Sequence, residues 1–463
     1  MAELESVVEK LIAALGPEII LRPEEAILRP ASHWRSHAGL ICKALALPRT
    51  PADVIRIMRI CHAHDQSVVP HGGLTNVVGG AVTTSQEVAL SLERLNVIEE
   101  IDEINQTVTV QAGVILAHLQ QKAALHGLLF PVDLGAKGSC MIGGNIASNA
   151  GGLQALRYGV MRQHVLGLEV VLADGTLLSN LRKLAKDNTG YDLKHLFIGS
   201  EGTLGIITRA VLTLQKRPST RQTAFVALPS FTKAHQFLRL AQHRLRDALT
   251  TFEVFWQDYY LLMTTPPDGF VPPLPGHYPF YVLLEALGDD PAGDERRFEH
   301  LLEEGLELGL LVDAVPAQTH QELVWFWSIR EKVELVFARH NPVFIFDVSL
   351  PISAMEEYIS EITDALKLRW TEVHIYAFGH MGDGNLHLYV SCGEPDDLTR
   401  AEVDQTVLSP LPALGGSISA EHGIGLEKKK WLHLSRSLAE IEVMRSLKRV
   451  MDPKNILNPG KLW

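Results

Sequence analysis

Pro70-His71-Gly72-Gly73-Leu74-Thr75-Asn76-Val77-Val78-Gly79-Gly80 sets two Gly-Gly pairs in one loop, directly after Gln66-Ser67-Val68-Val69, which reads as a short buried strand. Glycine permits positive φ and close backbone approach, so successive N–H groups of such a loop can converge on a pyrophosphate. A second region of the same kind, Pro131-Val132-Asp133-Leu134-Gly135-Ala136-Lys137-Gly138-Ser139, runs into Ile142-Gly143-Gly144-Asn145-Ile146-Ala147-Ser148-Asn149-Ala150-Gly151-Gly152. One such loop alone is most simply a tight turn. Two of this density, flanked by Ser, Thr and Asn donors, favour a cradle for a large phosphorylated cofactor. No G-x-G-x-x-G follows a strand and opens a helix, and no G-x-x-x-x-G-K-[ST] occurs, so the Rossmann and P-loop solutions are excluded.

Around these loops the first half reads as α+β. An amphipathic helix is expected over about 3–15, and Thr50-Pro51-Ala52-Asp53 reads as an N-cap with Pro in the first turn of a helix ending near Asp65. A helix at about 114–126 and strands at about 87–92, 106–111, 166–173 and 205–214 follow. Beyond residue 215, strands at 222–228, 280–287, 343–348 and 372–378 alternate with helices at 231–247, 294–309 and 353–367, which suggests a ferredoxin-like layered domain. Pro266 to Pro279 is a proline-rich loop, and a small helical tail begins at Leu411.

The 463 residues are enough for two or three domains. With 42 Lys+Arg against 54 Asp+Glu the net charge is -12, and no basic run exceeds Lys428-Lys429-Lys430, so nucleic acid is not an expected partner. A composition of 46% hydrophobic and 21% charged residues is that of a packed globular protein, and no apolar stretch reaches the roughly 18 residues of a membrane span. The start, Met1-Ala2-Glu3-Leu4-Glu5, lacks a basic segment followed by an apolar one, and Cys42, Cys61, Cys140 and Cys392 form no close-spaced pair. These features lead to the expectation of a cytoplasmic protein with reduced thiols and no cysteine-ligated cluster.

Phe378-Gly379-His380-Met381-Gly382-Asp383-Gly384-Asn385-Leu386-His387 opens as a strand, turns through glycines and brings two imidazoles back together; Ser419-Ala420-Glu421-His422-Gly423-Ile424-Gly425 follows later. Two His and a Glu suit zinc or another divalent ion with positions left for substrate. The plain alternative is a set of satisfied buried histidines.

The two glycine-rich regions, together with Arg157-Tyr158-Gly159, Leu168-Glu169-Val170-Val171-Leu172-Ala173-Asp174-Gly175, Lys186-Asp187-Asn188-Thr189-Gly190-Tyr191-Asp192 and Ile198-Gly199-Ser200-Glu201-Gly202-Thr203-Leu204-Gly205-Ile206, resemble the vanillyl-alcohol-oxidase-type FAD-binding superfamily. Within it the chain is most similar to the D-2-hydroxyglutarate and D-lactate dehydrogenases, from about residue 35 to the C-terminus. The resemblance implies an α+β fold: a two-subdomain FAD-binding domain (PCMH type) over 35–214, a ferredoxin-like cap domain over 215–410, and a C-terminal segment, 411–463, returning to the FAD site. Residues 1–34 form an N-terminal helical segment.

The same resemblance implies that FAD is held by Pro70, His71, Gly72, Gly73, Leu74, Thr75, Asn76, Gly79 and Gly80 of the first loop. Pro131, Asp133, Gly135, Ser139, Gly143, Gly144, Asn145, Ser148, Asn149 and Gly151 follow in the second, with Tyr158, Gly159, Glu201, Gly205, Ile206 and Asn458. Thr75 stands where covalent-flavin relatives carry histidine, which implies non-covalent FAD. His71 and Asn76 depart from the Arg or Gln and the Gly commonest at their positions. His380, His387 and Glu421 would be metal ligands, most simply for zinc, and His422 the base beside the flavin, a role suited to imidazole near neutrality.

Arg330 matches an arginine that contacts substrate in these enzymes, the alternative being an exposed helical arginine paired with Glu334. By motif spacing Glu334 replaces a threonine, Ile345 a lysine and Tyr389 an asparagine of the D-2-hydroxyglutarate pattern. These changes point to an apolar monocarboxylate. Trp325, Trp327, Phe255 and Trp256 read more simply as core than as a substrate wall. The implied activity is FAD- and metal-dependent oxidation of a small D-2-hydroxy acid; electron-transfer flavoprotein, quinone and molecular oxygen all stay open as acceptor, and a homodimer is a compatible assembly. A D-2-hydroxyglutarate dehydrogenase proper, a redox-neutral FAD transferase of the ether-lipid synthase kind and a zinc hydrolase are the rival readings.

Overall fold

The computed structural model describes residues 6–33, 36 and 38–463, so the expected helix start at 3–5 and the expected boundary at 34–35 lie outside the described residues. The described residues form two compact units: those up to 152 with 160–217 and 421–463 make the first, and residues 153–159 and 218–420 the second. The seven residues 153–159, read from sequence as part of the FAD-binding half, are held instead by the second unit. Thr251 Oγ1 donates to Leu153 O at 2.9 Å, and Arg157 Nη1 to Leu287 O at 2.7 Å.

In the first unit a parallel trio of strands, Ala44–Ala46, Val88–Ser91 and Val68–His71, carries the antiparallel Ile20–Leu21 on one edge. Helix Pro51–Ala63 starts as its sequence dictates. Thr50 Oγ1 accepts from Asp53 N and Asp53 Oδ2 accepts from Thr50 N, a capping box behind Pro51. A five-stranded antiparallel sheet follows, in the order Ile98–Asp102, Thr107–Gln111, Ile206–Thr213, Val165–Val171, Leu177–Asn180. The two sheets share one apolar core, which Ile456 and Leu457 of the C-terminal tail complete. Val68 N donates to Ile456 O at 2.7 Å and Asn458 N to Val68 O at 2.8 Å, so the tail pairs with the strand that feeds the first glycine-rich loop.

The second unit is built on a seven-stranded antiparallel sheet. Its first four strands, Thr220–Leu228, Leu249–Trp256, Phe280–Gly288 and Asp313–Pro316, lie in the spatial order fourth, first, third, second. With helices Phe231–Leu245 and Pro291–Glu307 this is the ferredoxin-like arrangement. Strands His374–His380, Asn385–Ser391 and Phe344–Ser349 extend it beyond Leu249–Trp256. One face meets the two helices, as in the contact of Phe252 with Phe237 at 6.0 Å between ring centroids. The opposite face carries an aromatic core of Phe225, Phe255, Tyr259, Tyr260, Tyr281, Phe326, Trp327 and Phe378. Phe255 and Trp327 are therefore core; Trp325 is half-buried beside them, and Trp256 packs with Phe231 and Phe280. No helix among the described residues is long and apolar enough to cross a membrane.

Lys448, on helix Leu438–Met451, is buried in the first unit and donates to Thr203 O (2.8 Å), Leu457 O (2.7 Å) and the Asp452 carboxylate. Removing one partner of a buried pair strands the other charge. Lys448→Met is expected to lower unfolding free energy by about 3–5 kcal/mol in urea titration. A loss below about 1 kcal/mol would mean that the tail is held by packing alone.

Candidate active site

The first unit encloses a cavity of about 330 Å³, within the range of small-molecule sites. Its walls are the two glycine-rich loops. Of the residues expected at the cofactor, Pro70, His71, Gly72, Gly73, Leu74, Thr75, Asn76, Gly80, Gly135, Gly143, Gly144, Asn145, Ser148, Gly151, Glu201, Gly205 and Ile206 line it, and so do Glu421 and His422. The loops touch backbone to backbone: a Cβ on Gly73 would stand 2.1 Å from Ser139 O, so a side chain there would push the two cradles apart. His71 is buried in this wall, and its Nε2 has no hydrogen-bond partner. An orphaned ring nitrogen beside a cavity fits a polar cofactor group.

The remaining expected residues do not line the cavity. Asp133 pairs with Lys137 at 2.7 Å, and Asn149, at φ 52°, accepts from Arg162 N at 2.9 Å. Asn458 Nδ2 donates to Gly80 O and Glu201 O. Gly79 packs behind the loop against Leu426, Ser139 presents its carbonyl to Gly73, and Pro131 stands outside the wall. These residues brace the cradles. Tyr158 and Gly159 belong to the second unit, where the Arg157 guanidinium lies 4.7 Å over the Tyr158 ring. Sequence reasoning missed Met141, Cys140, Leu134 and Gly202 in the wall, although Leu134 and Gly202 lie within quoted stretches and Cys140 and Met141 join two of them.

Two side chains fix the turn that carries His422. Glu201, at φ 51°, accepts from Ile424 N at 2.7 Å and Gly425 N at 2.9 Å. Burial pushes its carboxyl up, and those amides with the charge of Lys428 pull it back. Asn76 Oδ1 accepts from Val78 N and Gly80 N while its Nδ2 donates to His422 O at 3.2 Å. The asparagine that departs from the common glycine thus ties the first loop to the histidine. Glu421 Oε1 accepts from Gly152 N at 2.9 Å.

In the second unit the sheet register sets a row of ionisable groups on one face. Glu253 is the cross-strand partner of His380, Phe378 of His387, and Asp347 of His387. His380 Nε2 and His387 Nε2 stand 3.3 Å apart. Two imidazole nitrogens at about 2.0–2.1 Å from one tetrahedral ion would be separated by about 3.3–3.4 Å, so the pair fits a divalent metal such as zinc. Asp347, fully buried, accepts from Asn385 Nδ2 at 2.8 Å and Ala420 N at 3.1 Å, fixing the segment just before Glu421.

Glu253 is fully buried; Oε1 takes His380 Nδ1 and Oε2 takes Arg330 Nε. Burial pushes this carboxyl up, and the charge of Arg330 with the hydrogen bonds from His380 and Arg330 outweigh it and hold it well below the usual carboxylate range. Arg330 is thus neither exposed nor paired with Glu334. It is 6% exposed and lies 4.6 Å over the Phe378 ring. Its surroundings are aromatic and apolar: Tyr389, 5.4 Å from Phe378 between ring centroids, faces Ile345 across the sheet. Burial raises Tyr389 to about 12, against the lowering charge of Arg330 and with the charge of Glu334 adding to the rise.

An FAD-binding domain model matches residues 42–180, and the model of the C-terminal domain of FAD-linked oxidases matches residues 217–462. A protein of Oryza sativa subsp. indica carrying the name of a mitochondrial D-2-hydroxyglutarate dehydrogenase is 40% identical over 97% of this chain and 80% of its own. The mitochondrial D-2-hydroxyglutarate dehydrogenase of Bos taurus is 39% identical over 96% and 81%. The chain belongs to this family of FAD-linked oxidoreductases. A member of Schizosaccharomyces pombe carrying the name of a mitochondrial D-lactate dehydrogenase is 39% identical over 89% of this chain and 80% of its own.

Two solved structures share the family's fold. Alkyldihydroxyacetonephosphate synthase is 18% identical with a TM-score of 0.75 over 99% of this chain and 86% of its own. The p-cresol methylhydroxylase has 16%, 0.78, 98% and 96%. At such identity they establish the α+β, PCMH-type architecture alone. The cofactor is FAD, and the protein is an oxidoreductase acting on CH–OH. The zinc-hydrolase reading leaves both domain matches unexplained. The cytoplasmic expectation is overturned: the family members of rice, cattle and fission yeast are all named as mitochondrial, and the unremarkable first residues carried no signal that could have told otherwise.

Burial pushes the His71 imidazole down to about 4. The unfolded chain, near 6.5, binds the proton first, so this stability is complete above about pH 6.5 and is lost as pH falls towards 4, by roughly 3 kcal/mol. In flavin-free protein, unfolding free energy should fall through that window by about this much more than in His71→Gln. Parallel pH profiles would assign the acid sensitivity elsewhere.

Proposed function

We propose that the protein oxidises a D-2-hydroxy monocarboxylate with an apolar side chain to the 2-oxo acid. FAD would be held non-covalently, a divalent metal, zinc by its donors, by His380, His387 and Glu421, and His422 would be the base. The observation that carries this reading is the His380–His387 nitrogen pair at 3.3 Å, on the same sheet face as a buried arginine. When bound, FAD supplies a hydride acceptor and the metal supplies Lewis acidity that lowers the pKa of a hydroxyl.

The chain's own groups divide the remaining work. Arg330 anchors the carboxylate, since Nη1 and Nη2 have no hydrogen-bond partner among the described residues. His422 lines the FAD cavity and takes the hydroxyl proton on a ring nitrogen; Asn76 and Glu201 hold its backbone in place. Loss of that proton and of the Cα hydrogen as hydride turns the C–O single bond into the carbonyl. An electron-transfer flavoprotein or a quinone would then take the electrons. His422→Asn should keep FAD bound and slow anaerobic flavin reduction by roughly 10²–10⁴. Near wild-type reduction would send the proton to another group.

The names of the relatives favour a second reading, D-2-hydroxyglutarate itself. Ile345, Tyr389 and Glu334 weigh against it, because a distal carboxylate would meet apolar walls and a like charge. Comparing kcat/KM for D-lactate, a longer aliphatic D-2-hydroxy acid, D-mandelate and D-2-hydroxyglutarate should show a preference of about 10²-fold or more for a monocarboxylate. A clear preference for the dicarboxylate would establish the second reading.

A further inference from the structure

We infer that Glu253 is a positioning residue that couples metal binding to substrate binding: its two carboxylate oxygens fix which nitrogen His380 offers to a metal and where Arg330 points. The inference rests on the proposed function for the identity of those two ligands. It adds a residue that touches neither substrate nor cofactor.

The geometry assigns each oxygen one task. Oε1 accepts the Nδ1–H of His380, which leaves Nε2 as the lone-pair nitrogen, 3.3 Å from Nε2 of His387. Oε2 accepts the Nε–H of Arg330. Using Nε turns the guanidinium so that its two Nη groups remain for a carboxylate, with the plane held over Phe378 at 4.6 Å. Tyr259 Oη donates to Arg330 O at 3.0 Å and fixes the backbone from which the side chain springs. Glu253 and Arg330 are both buried and cancel in charge, so His380 is not needed to neutralise the pair. Stability alone does not call for this arrangement, since a buried ion pair is often matched by packed apolar residues. Its distinctive property is the third partner.

The decisive variant is Glu253→Gln. It preserves shape, but its amide NH₂ must face either His380 Nδ1–H or Arg330 Nε–H, donor against donor. In FAD-loaded protein, Co²⁺ or Zn²⁺ affinity measured against a chelator should fall 10- to 100-fold, as for loss of a carboxylate behind a ligating histidine. KM for the preferred 2-hydroxy acid should rise while FAD content stays at the wild-type level.

Glu285→Gln is the control: Glu285 is a buried acid of the same sheet that binds Arg221, Thr223 and Trp327 but no histidine. It should lower the melting temperature and leave metal affinity unchanged. If Glu253→Gln does not fold by circular dichroism, Glu253→Asp, which keeps the charge and withdraws the oxygens by one methylene, must show the same loss. A folded Glu253 variant with wild-type metal affinity and KM overturns the inference. Wild-type protein that binds neither Co²⁺ nor Zn²⁺ overturns instead the functional reading beneath it.

Discussion

The register between strands Leu249–Trp256, His374–His380, Asn385–Ser391 and Phe344–Ser349 is the constraint on which the second unit's chemistry depends. Side chains alternate between sheet faces, so a slip of one residue in any of these pairings would send its contributor to the opposite face. Glu253 opposite His380, and Asp347 opposite His387, are therefore statements about alignment before they are statements about charge. The aromatic core of Phe225, Phe255 and Phe378 lies on the same face and makes any slip costly. Packing energy thus secures the alignment of polar groups that could not secure it themselves.

Three acids drawn away from solvent are matched to donors that differ in kind. Glu201 receives backbone amides, Glu169 the Arg209 guanidinium and the Thr208 hydroxyl, and Glu253 an imidazole and a guanidinium. Burying a carboxylate is tolerable only with such partners. The chemistry of each set reflects its place: amides fix a turn, an arginine bridges two inner strands of a sheet, and an imidazole receives an orientation.

Much of the site was legible in sequence because glycine-rich loops and closely spaced histidines are local patterns. Pro70 to Gly80, His380 and His387 announce themselves within a few residues. Glu253 does not. It sits in Leu249-Thr250-Thr251-Phe252-Glu253-Val254-Phe255-Trp256, a strand left unassigned from sequence, and its partners lie at 330 and 380. The available signal was an ionisable residue among strand-forming neighbours, which must find charge-matched partners if buried; which partners depends on register between distant segments. Arg330 was found by resemblance, but its burial and its partner were not, because helix His320–Glu331 has no clean apolar stripe to show which side faces the sheet. Residues 153–159 were assigned by their neighbours in the chain, whereas hydrogen bonds to Thr251 and Leu287 decide where they belong.

The first unit is discontinuous: Val68 and the strands around it pair and pack with Ile456 and Leu457, which follow the whole of 218–420 in the chain. Synthesis proceeds from the N-terminus, so every residue of the seven-stranded sheet has left the ribosome before the last pieces of the first unit exist. The second unit can therefore complete its contacts while translation continues, whereas the first must wait, with the two glycine loops made but their supporting strand unfinished. Cofactor loading becomes a checkpoint on a finished polypeptide, and a ribosome that stalls within the last helix would yield a chain with an intact second unit and no settled place for flavin.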